Sequence, residues 1–255
     1  MARFFTWLFL LVSLGFGSAA AETYRLRYDA AILGVVTIGQ ATLDVTARDQ
    51  RYAVRSTLRT SGAARIFDQT DISAVAAGTL AASGPSWARY DLSHAYADKF
   101  RRTQMRRSGG EISTDVDPGY GQHMGRPPAS ASQRSASYDP LTGLFELGRQ
   151  VGARQACQGD VLIFDGRQHY RLSLAARDGR VSYNGGGFHG QALSCTLRYR
   201  PIAGFEMSPQ DRDAIPEGEL LFALTGQAGF APFLRLTVPT PVGPARLDLQ
   251  EYQRL

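Results

Sequence analysis

Several residue patterns that carry chemistry are missing from this sequence. It contains no GxSxG nucleophile elbow and no HExxH zinc motif. Its four histidines, His94, His123, His169 and His189, are scattered without a close pair, and neither of its two cysteines belongs to a CxxC motif. We therefore predict no catalytic residue, no metal site and no cofactor.

Beyond its N-terminus the sequence also lacks a long apolar run. Crossing a bilayer as a helix takes about 20 apolar residues, and the run near the N-terminus is shorter and follows a basic residue. Ala19 and Ala21 come next, at the two positions where signal peptidase needs small side chains. This pattern predicts a signal peptide over residues 1–21, cleavage before Glu22, and a mature chain in the periplasm without a transmembrane segment.

Lysine is almost absent. Lys99 is the only one, and arginine supplies the rest of the 28 basic residues, which face 23 acidic ones. The excess of positive charge is modest, and an exported protein rarely meets nucleic acid. The charge balance therefore favours an anionic lipid or glycan over nucleic acid as a partner.

The densest positive charge lies at Arg101, Arg102, Arg106 and Arg107. On a strand, the first and last of these would point to one face and the middle two to the other. Long arginine side chains can protect a sheet edge against aggregation, and they can also clamp phosphate or carboxylate. Both interpretations stay open, so these four residues are candidate anion contacts.

Two cysteines, Cys157 and Cys195, remain in the predicted mature chain. An even number in an oxidising compartment favours a disulfide, and two buried thiols are the alternative. Cys195 alternates in phase with apolar neighbours such as Leu193 and Leu197, so its side chain should point inward.

Alternation with a period of two dominates the chain from Thr23 onward. Tyr24, Leu26 and Tyr28, for example, are separated by Arg25 and Arg27. Successive side chains of a strand point to opposite faces, so this pattern predicts strands with one buried face and one wet face. Parallel pairing would need long crossover helices, which the sequence does not offer, so the sheet should be antiparallel.

One helix interrupts the strands near the middle of the chain. Asp139 is suited to cap its N-terminus and Pro140 to occupy its first turn. We expect the helix to end just before Gly152, with an apolar stripe that packs in the core: Leu141, Leu144 and Phe145.

Turn signals divide the remaining segments. Residues 117–137 are rich in Pro, Gly, Ser and Ala and predict a long loop. Asp165-Gly166 and Asp178-Gly179 each predict a hairpin turn, and Gly185-Gly186-Gly187 predicts a hairpin tip.

Two carboxylate pairs deserve comparison with catalytic sites. Asp115 with Asp117, and Asp211 with Asp213, would each share one strand face, as an acid–base or metal site requires. Both pairs lie beside loops rich in Pro or Gly, where solvated turns are the commoner explanation.

A group of motifs in the second half resembles the exported bacterial proteins grouped as domain of unknown function 3108. The resemblance covers the chain from Tyr24 to Leu255 and implies an envelope protein with a paired cysteine bridge, but no reaction and no catalytic residue. It also suggests the curled antiparallel sheets of lipoprotein-carrier and envelope-integrity proteins. The motifs are Asp139-Pro140-Leu141, Cys157, Phe164-Asp165-Gly166-Arg167, Tyr170, Cys195, Tyr199 and Pro201-Ile202-Ala203-Gly204.

Together these features predict a single domain over residues 22–255. It should be mainly β, a large curled antiparallel sheet in the form of a half-barrel or β-spiral, with one short helix near the middle. The expected function is non-enzymatic binding of a lipid-like ligand, a peptide or a partner protein of the envelope on an apolar concave face. An envelope hydrolase acting on glycan or lipid is the alternative, and an outer-membrane barrel fits less well because of the helix and the cysteine pair.

Overall fold

A computed structural model describes residues 22–255, apart from residues 35, 68, 122–126 and 226–228. The expected signal peptide lies outside the described residues and stays a prediction.

The described residues form thirteen strands in a single sheet, and all neighbouring strands pair antiparallel. The strands are β1 (Glu22–Ile32), β2 (Val36–Arg48), β3 (Arg51–Thr60), β4 (Thr70–Ala81), β5 (Gly84–Tyr96), β6 (Lys99–Ser108), β7 (Glu111–Asp117), β8 (Gly159–Phe164), β9 (His169–Gly185), β10 (Phe188–Ala203), β11 (Gly218–Ala223), β12 (Phe233–Val238) and β13 (Ala245–Arg254).

The order of strands follows two meanders that meet in the middle of the sheet. From β1 the chain runs outward through successive neighbours to one edge at β7. It then crosses to the opposite edge at β8 and returns inward to β13, which pairs with β1. The sheet is therefore open between β7 and β8, and the crossing segment connects these two edges.

One long helix and three short ones accompany the sheet. The long helix, α3, makes contacts with β3, β4 and β5 and also with β8, which lies far from them in the strand order. A flat sheet could not bring these strands to one helix, so the sheet curls around α3. The helices are α1 (Ala64–Phe67), α2 (Ala131–Ser135), α3 (Pro140–Arg154) and α4 (Pro209–Asp213).

Aromatic side chains fill the space between α3 and the concave face of the sheet, which we call the inner face. Phe145 of α3 stacks on Tyr52 with ring centroids 5.2 Å apart, and lies 5.4 Å from the ring of Phe230. Phe230 in turn lies 5.5 Å from Tyr24 of β1. The main core is therefore formed by the inner face together with a helix and a loop that pack inside the curl.

A short extended segment spans the gap between the two sheet edges. The Tyr138 N–H donates to the carbonyl of Leu162 at 2.9 Å, and the Phe164 N–H donates to the carbonyl of Tyr138 at 2.8 Å. On the other side, Trp87 Nε1 donates to the carbonyl of Ser137 at 2.9 Å. This segment partners the exposed backbone of β8, which would otherwise be free to pair with another chain.

The structure confirms the curled antiparallel sheet and corrects two boundaries. The helix does not end before Gly152 but continues to Arg154, where Gln155 caps it in the left-handed conformation. Gly152 lies inside the helix, and its missing Cβ lets the backbone of Gly229 approach closely. Asp178-Gly179 is not a hairpin turn. It lies within β9, opposite a register shift at Ser194 of β10, and the turn between these strands is at 186–187, where both glycines have positive φ.

Two other expectations on connections are partly met. Asp165-Gly166 does join β8 to β9. The long loop after residue 117 contains α2, whose N-terminus has a capping box formed by Ser130 and Gln133.

Candidate functional site

One end of the curled sheet leaves apolar side chains of the inner face partly open. α3 covers the inner face toward the opposite end, where the Tyr52 hydroxyl lies 2.7 Å from the Thr142 hydroxyl. At the end that carries the β3–β4 and β5–β6 connections, Leu58, Ile72 and Leu92 share the inner face by register and are each only half-buried.

The rim of this end is apolar as well. Val238, Ala245, Ile32 and Val36 follow each other across four strands in one register row. Val36 is 50% exposed and Val238 is 37% exposed. The rim thus continues the apolar inner face out to solvent.

Inside the curl, α3 also presents an apolar side chain to solvent. Leu144 is 37% exposed, although it lines a narrow crevice with Leu43, Val45 and Phe233. The apolar mouth comprises the open apolar residues of this end together with Leu144, which lies further in, beside Leu43 and Val45: Ile32, Val36, Leu58, Ile72, Leu92, Leu144 and Val238.

The apolar stripe predicted for α3 is buried only in part. Helical spacing puts Leu141, Leu144 and Phe145 on one side, but Leu141 and Phe145 are buried while Leu144 is not. The periodicity of the α3 sequence shows which side of the helix is apolar. It does not show how much of that side the strands cover.

Two polar side chains adjoin the apolar mouth. In register, Ile72 pairs with His94, and His94 pairs with Arg101 of β6. The Arg101 guanidinium lies 4.6 Å from the centre of the Tyr120 ring. An apolar site bordered by a few polar groups is the usual composition of a small-molecule pocket.

The four arginines of β6 divide between the two faces of the strand, as the alternation of a strand requires. Each contacts a protein group in the structure, and a shared anion site at all four stays a prediction. Arg101 donates to the Pro118 carbonyl at 3.3 Å, Arg102 lies 3.9 Å from Asp115 and Asp117, Arg106 pairs with Asp91 at 2.7 Å, and Arg107 donates to the Ser135 carbonyl at 2.8 Å.

The motifs around Asp165-Gly166-Arg167 and Gly204 lie at the β8–β9 turn, beside the opening between the two sheet edges. Asp165 Oδ1 accepts hydrogen bonds from the N–H groups of Arg167 at 2.9 Å and Gln168 at 2.6 Å. Any Cβ on Gly204 would overlap the Arg167 carbonyl, so only glycine allows this close packing. The Arg167 guanidinium lies 5.1 Å from the ring of Tyr120, which follows β7. These motifs thus hold the β8–β9 turn against the opposite edge, which is a structural role.

Asp139 caps α3 from a fully buried position. Its carboxylate accepts from the N–H groups of Leu141 and Thr142, both at 3.0 Å, and from the Thr142 hydroxyl at 2.6 Å. Burial outweighs these hydrogen bonds and raises the pKa of Asp139 from 3.8 to about 6.

This raised pKa predicts a pH dependence of stability. The folded protein holds a proton on Asp139 that the unfolded chain releases, so protonation stabilises the fold fully below pH 4, and this contribution is lost as the pH rises through 6. In Asp139→Asn, which keeps a capping side chain, this contribution is absent. The difference in unfolding free energy between the two proteins should therefore change by about 2.4 kcal/mol between pH 4 and pH 7.

Guanidinium unfolding of both proteins at pH 4, 5, 6 and 7 measures this difference. The other titrating groups are the same in both proteins, so their contributions to the unfolding free energy cancel in the difference. A difference that stays constant over this range would contradict the predicted protonation.

His169 is the most buried histidine of the described residues. It is 2% exposed, burial lowers its pKa, and neither ring nitrogen has a hydrogen-bond partner within the described part of the chain. His123 lies outside the described residues.

The carboxylate pairs do not converge on a pocket. Asp115 and Asp117 lie on the edge strand β7, with side chains 69% and 70% exposed. Asp211 accepts from the Ser208 hydroxyl at the start of α4, while Asp213 borders a cleft on the outer surface.

Cys157 and Cys195 are at disulfide distance, with Cα atoms 5.4 Å apart. Both are buried in a second core cluster with Leu147 and Val151 of α3. Cys195 points inward as expected, and the pair connects the exit of α3 to β10.

The residues that the structure describes contain neither a candidate metal cluster nor a membrane-spanning helix. None of their His, Cys, Asp and Glu side chains form a group of three or more that could hold a metal ion. No helix within the same residues is long and apolar enough to cross a membrane.

One comparison with known proteins shows the family of the chain, and another shows its fold. The family model for "Protein of unknown function (DUF3108)" matches residues 23–250. Among solved structures, the chain is similar to a β-barrel-like protein of domain of unknown function DUF1849 from Brucella abortus, with a TM-score of 0.52 and 13% identity over 92% of this chain and 98% of that one. No curated protein matches the sequence.

Proposed function

The chain belongs to the DUF3108 family of proteins of unknown function, and we propose that it is a non-enzymatic periplasmic protein of the cell envelope that binds the acyl chain of a lipid-like ligand in the apolar mouth. The signal peptide expected over residues 1–21 supports the location. The β-barrel-like fold of the solved DUF1849 protein supports a curled sheet with a usable inner face.

The observation that carries the proposal is the exposure of Leu144 inside the curl. Single exposed leucines are normal on a convex surface. Here the side chain is 37% exposed next to Leu43, Val45 and Phe233, on the face where the protein buries its other large apolar groups. An acyl chain that enters over the rim and reaches Leu144 would remove this apolar surface from water.

The chemistry of the apolar mouth favours an acyl chain over a peptide. A peptide placed there would bury N–H and C=O groups against leucine and valine side chains, which costs free energy unless each finds a partner. An acyl chain has no such groups. Its polar end would meet His94 and Arg101 beside Ile72, where the arginine can contact an anionic headgroup.

A binding experiment with a matched control tests the proposal. The mature chain, residues 22–255, is freed of lipid and titrated with a fluorescent fatty acid such as 11-(dansylamino)undecanoic acid. We expect binding by the unmodified protein and roughly three- to sixfold weaker binding by Leu144→Gln, because the ligand would bury only the exposed 37% of this side chain, about a third of the roughly 1.5–3 kcal/mol for a whole leucine. Leu255→Gln changes another exposed leucine (67% exposed) away from the apolar mouth and should bind normally.

The change at Leu144 should leave folding intact because the side chain is already partly exposed, and circular dichroism melts check this. The absence of binding by the folded, unmodified protein, or equal binding by Leu144→Gln, would contradict the proposal.

A further inference from the structure

A cleft lies on the outer face of the sheet, away from the apolar mouth. It has a volume of about 500 Å³ and is formed by β9, β10 and α4. This volume is within the range of small-molecule sites, about 300–1,000 Å³. The cleft is lined by Arg171, Arg200, Pro201, Ile202, Arg212 and Asp213.

The three arginines reach the cleft from separate elements, and two of them face each other. Arg171 of β9 and Arg200 of β10 are direct cross-strand partners in the antiparallel register. Like charges at directly opposite positions destabilise a sheet. A third guanidinium, from Arg212 of α4, lines the same cleft, so that three guanidiniums face the one carboxylate of its lining, that of Asp213.

Protein groups only partly satisfy these guanidiniums. Arg171 pairs with Asp160 at 2.8 Å. Arg212 donates through Nη2 to the Phe205 carbonyl at 3.4 Å, while its Nε is buried with no acceptor among the described residues. Within the same residues Arg200 has no ion pair, although other arginines of the outer face do, such as Arg198 with Glu217 at 2.6 Å.

We infer that this cleft binds the phosphoryl group of an anionic ligand. A guanidinium is a planar fork of N–H donors that matches the oxygens of phosphate. Hydrogen bonds between these two charged groups are stronger than hydrogen bonds between neutral groups. A carboxylate has two oxygens and is commonly satisfied by one arginine, whereas a phosphoryl group offers three or more and can bridge several. A bound phosphoryl group would also offset the repulsion between Arg171 and Arg200.

The phosphoryl group has two possible sources, a soluble phosphate compound or a phospholipid headgroup. Two probes separate them: inorganic phosphate, followed by titration calorimetry, and vesicles of phosphatidylglycerol, followed by co-sedimentation against phosphatidylcholine vesicles. Binding of phosphate points to a soluble ligand. Binding restricted to phosphatidylglycerol vesicles points to a headgroup.

The test variants are Arg200→Gln and Arg212→Gln, with Arg198→Gln as the control. The control removes the same charge from the same strand but lies outside the cleft. We expect at least one probe to bind the unmodified protein, with each test variant at least about tenfold weaker and the control unchanged. Thermal melts establish that the variants fold, and Leu144→Gln should retain this binding, which separates the cleft from the apolar mouth.

Two results would overturn the inference. One is that neither probe binds the folded, unmodified protein. The other is that Arg198→Gln weakens binding as much as the changes in the cleft, which would mean that net charge alone attracts the probe.

Discussion

Replacing Gly152 with alanine is expected to lower the free energy of unfolding by about 3 kcal/mol, although alanine in a helix interior normally adds up to about 1 kcal/mol of stability. A Cβ at this position would overlap the carbonyl oxygen of Gly229 and lie 2.8 Å from its carbonyl carbon. Both atoms belong to the backbone, so relief requires the loop to shift.

The loop that would shift also carries part of the core. The Ala231 N–H donates to the carbonyl of Gly148 at 3.0 Å, and the ring of Phe230 packs between α3 and Tyr24. Moving Gly229 would therefore disturb the packing of Phe230 and the hydrogen bond between Ala231 and the helix.

Guanidinium unfolding measures the effect, and Ala153→Val is the control. Ala153 is the next residue of α3 and is exposed, so the larger side chain should cost less than about 1 kcal/mol through helix propensity alone. Stability of Gly152→Ala equal to or above that of the unmodified protein would show that the loop adapts without cost.

Gly152 also illustrates what sequence patterns predict about this fold and what they do not. The strands were recognisable because alternation is a local property, and the start of α3 was recognisable because Asp139 and Pro140 form a local signal. A glycine that ends a helix and a glycine that admits a neighbouring backbone look the same in sequence. The difference lies in the contact with Gly229, which is distant along the chain.

The same limit applies to the candidate sites. Asp178-Gly179 has the composition of a hairpin turn, but β10 is long enough to pair past it, so the residues form an irregularity within β9. Such shifts change the strand register by one or more residues. Without that register, the sequence gives no sign that Arg171 faces Arg200, and the cleft could not be anticipated.

Removing the bridge between Cys157 and Cys195 by replacing both with alanine should cost about 2–5 kcal/mol of stability. The two positions are 38 residues apart, and cross-linking a loop of that size contributes roughly 4 kcal/mol in the chain-entropy account. Alanine avoids placing a hydroxyl in the buried cluster around Leu147 and Val151, so the loss reports on the bridge and its packing.

The position of the two cysteines would give a bridge between them a specific mechanical role. α3 is anchored at its N-terminus by the Asp139 cap and at Tyr52 by the Thr142 hydroxyl. Its C-terminal end connects through Cys157 to β10, on the opposite side of the sheet from β3. Without this connection α3 loses its covalent tie to β10, although the backbone still joins it to β8, and the apolar mouth, which includes Leu144, should bind the fluorescent fatty acid less tightly.

Two measurements separate a structural bridge from other states of the cysteines. Thiol titration of the unfolded, non-reduced protein should find no free thiol, and unfolding with and without reductant should reproduce the loss seen in the double alanine variant. Cys195 is 0% exposed and Cys157 is 7% exposed, so a mild thiol should reduce the bridge only as fast as the protein opens. Two free thiols in protein purified from the periplasm would contradict the bridge, and rapid reduction of the folded protein would contradict its burial.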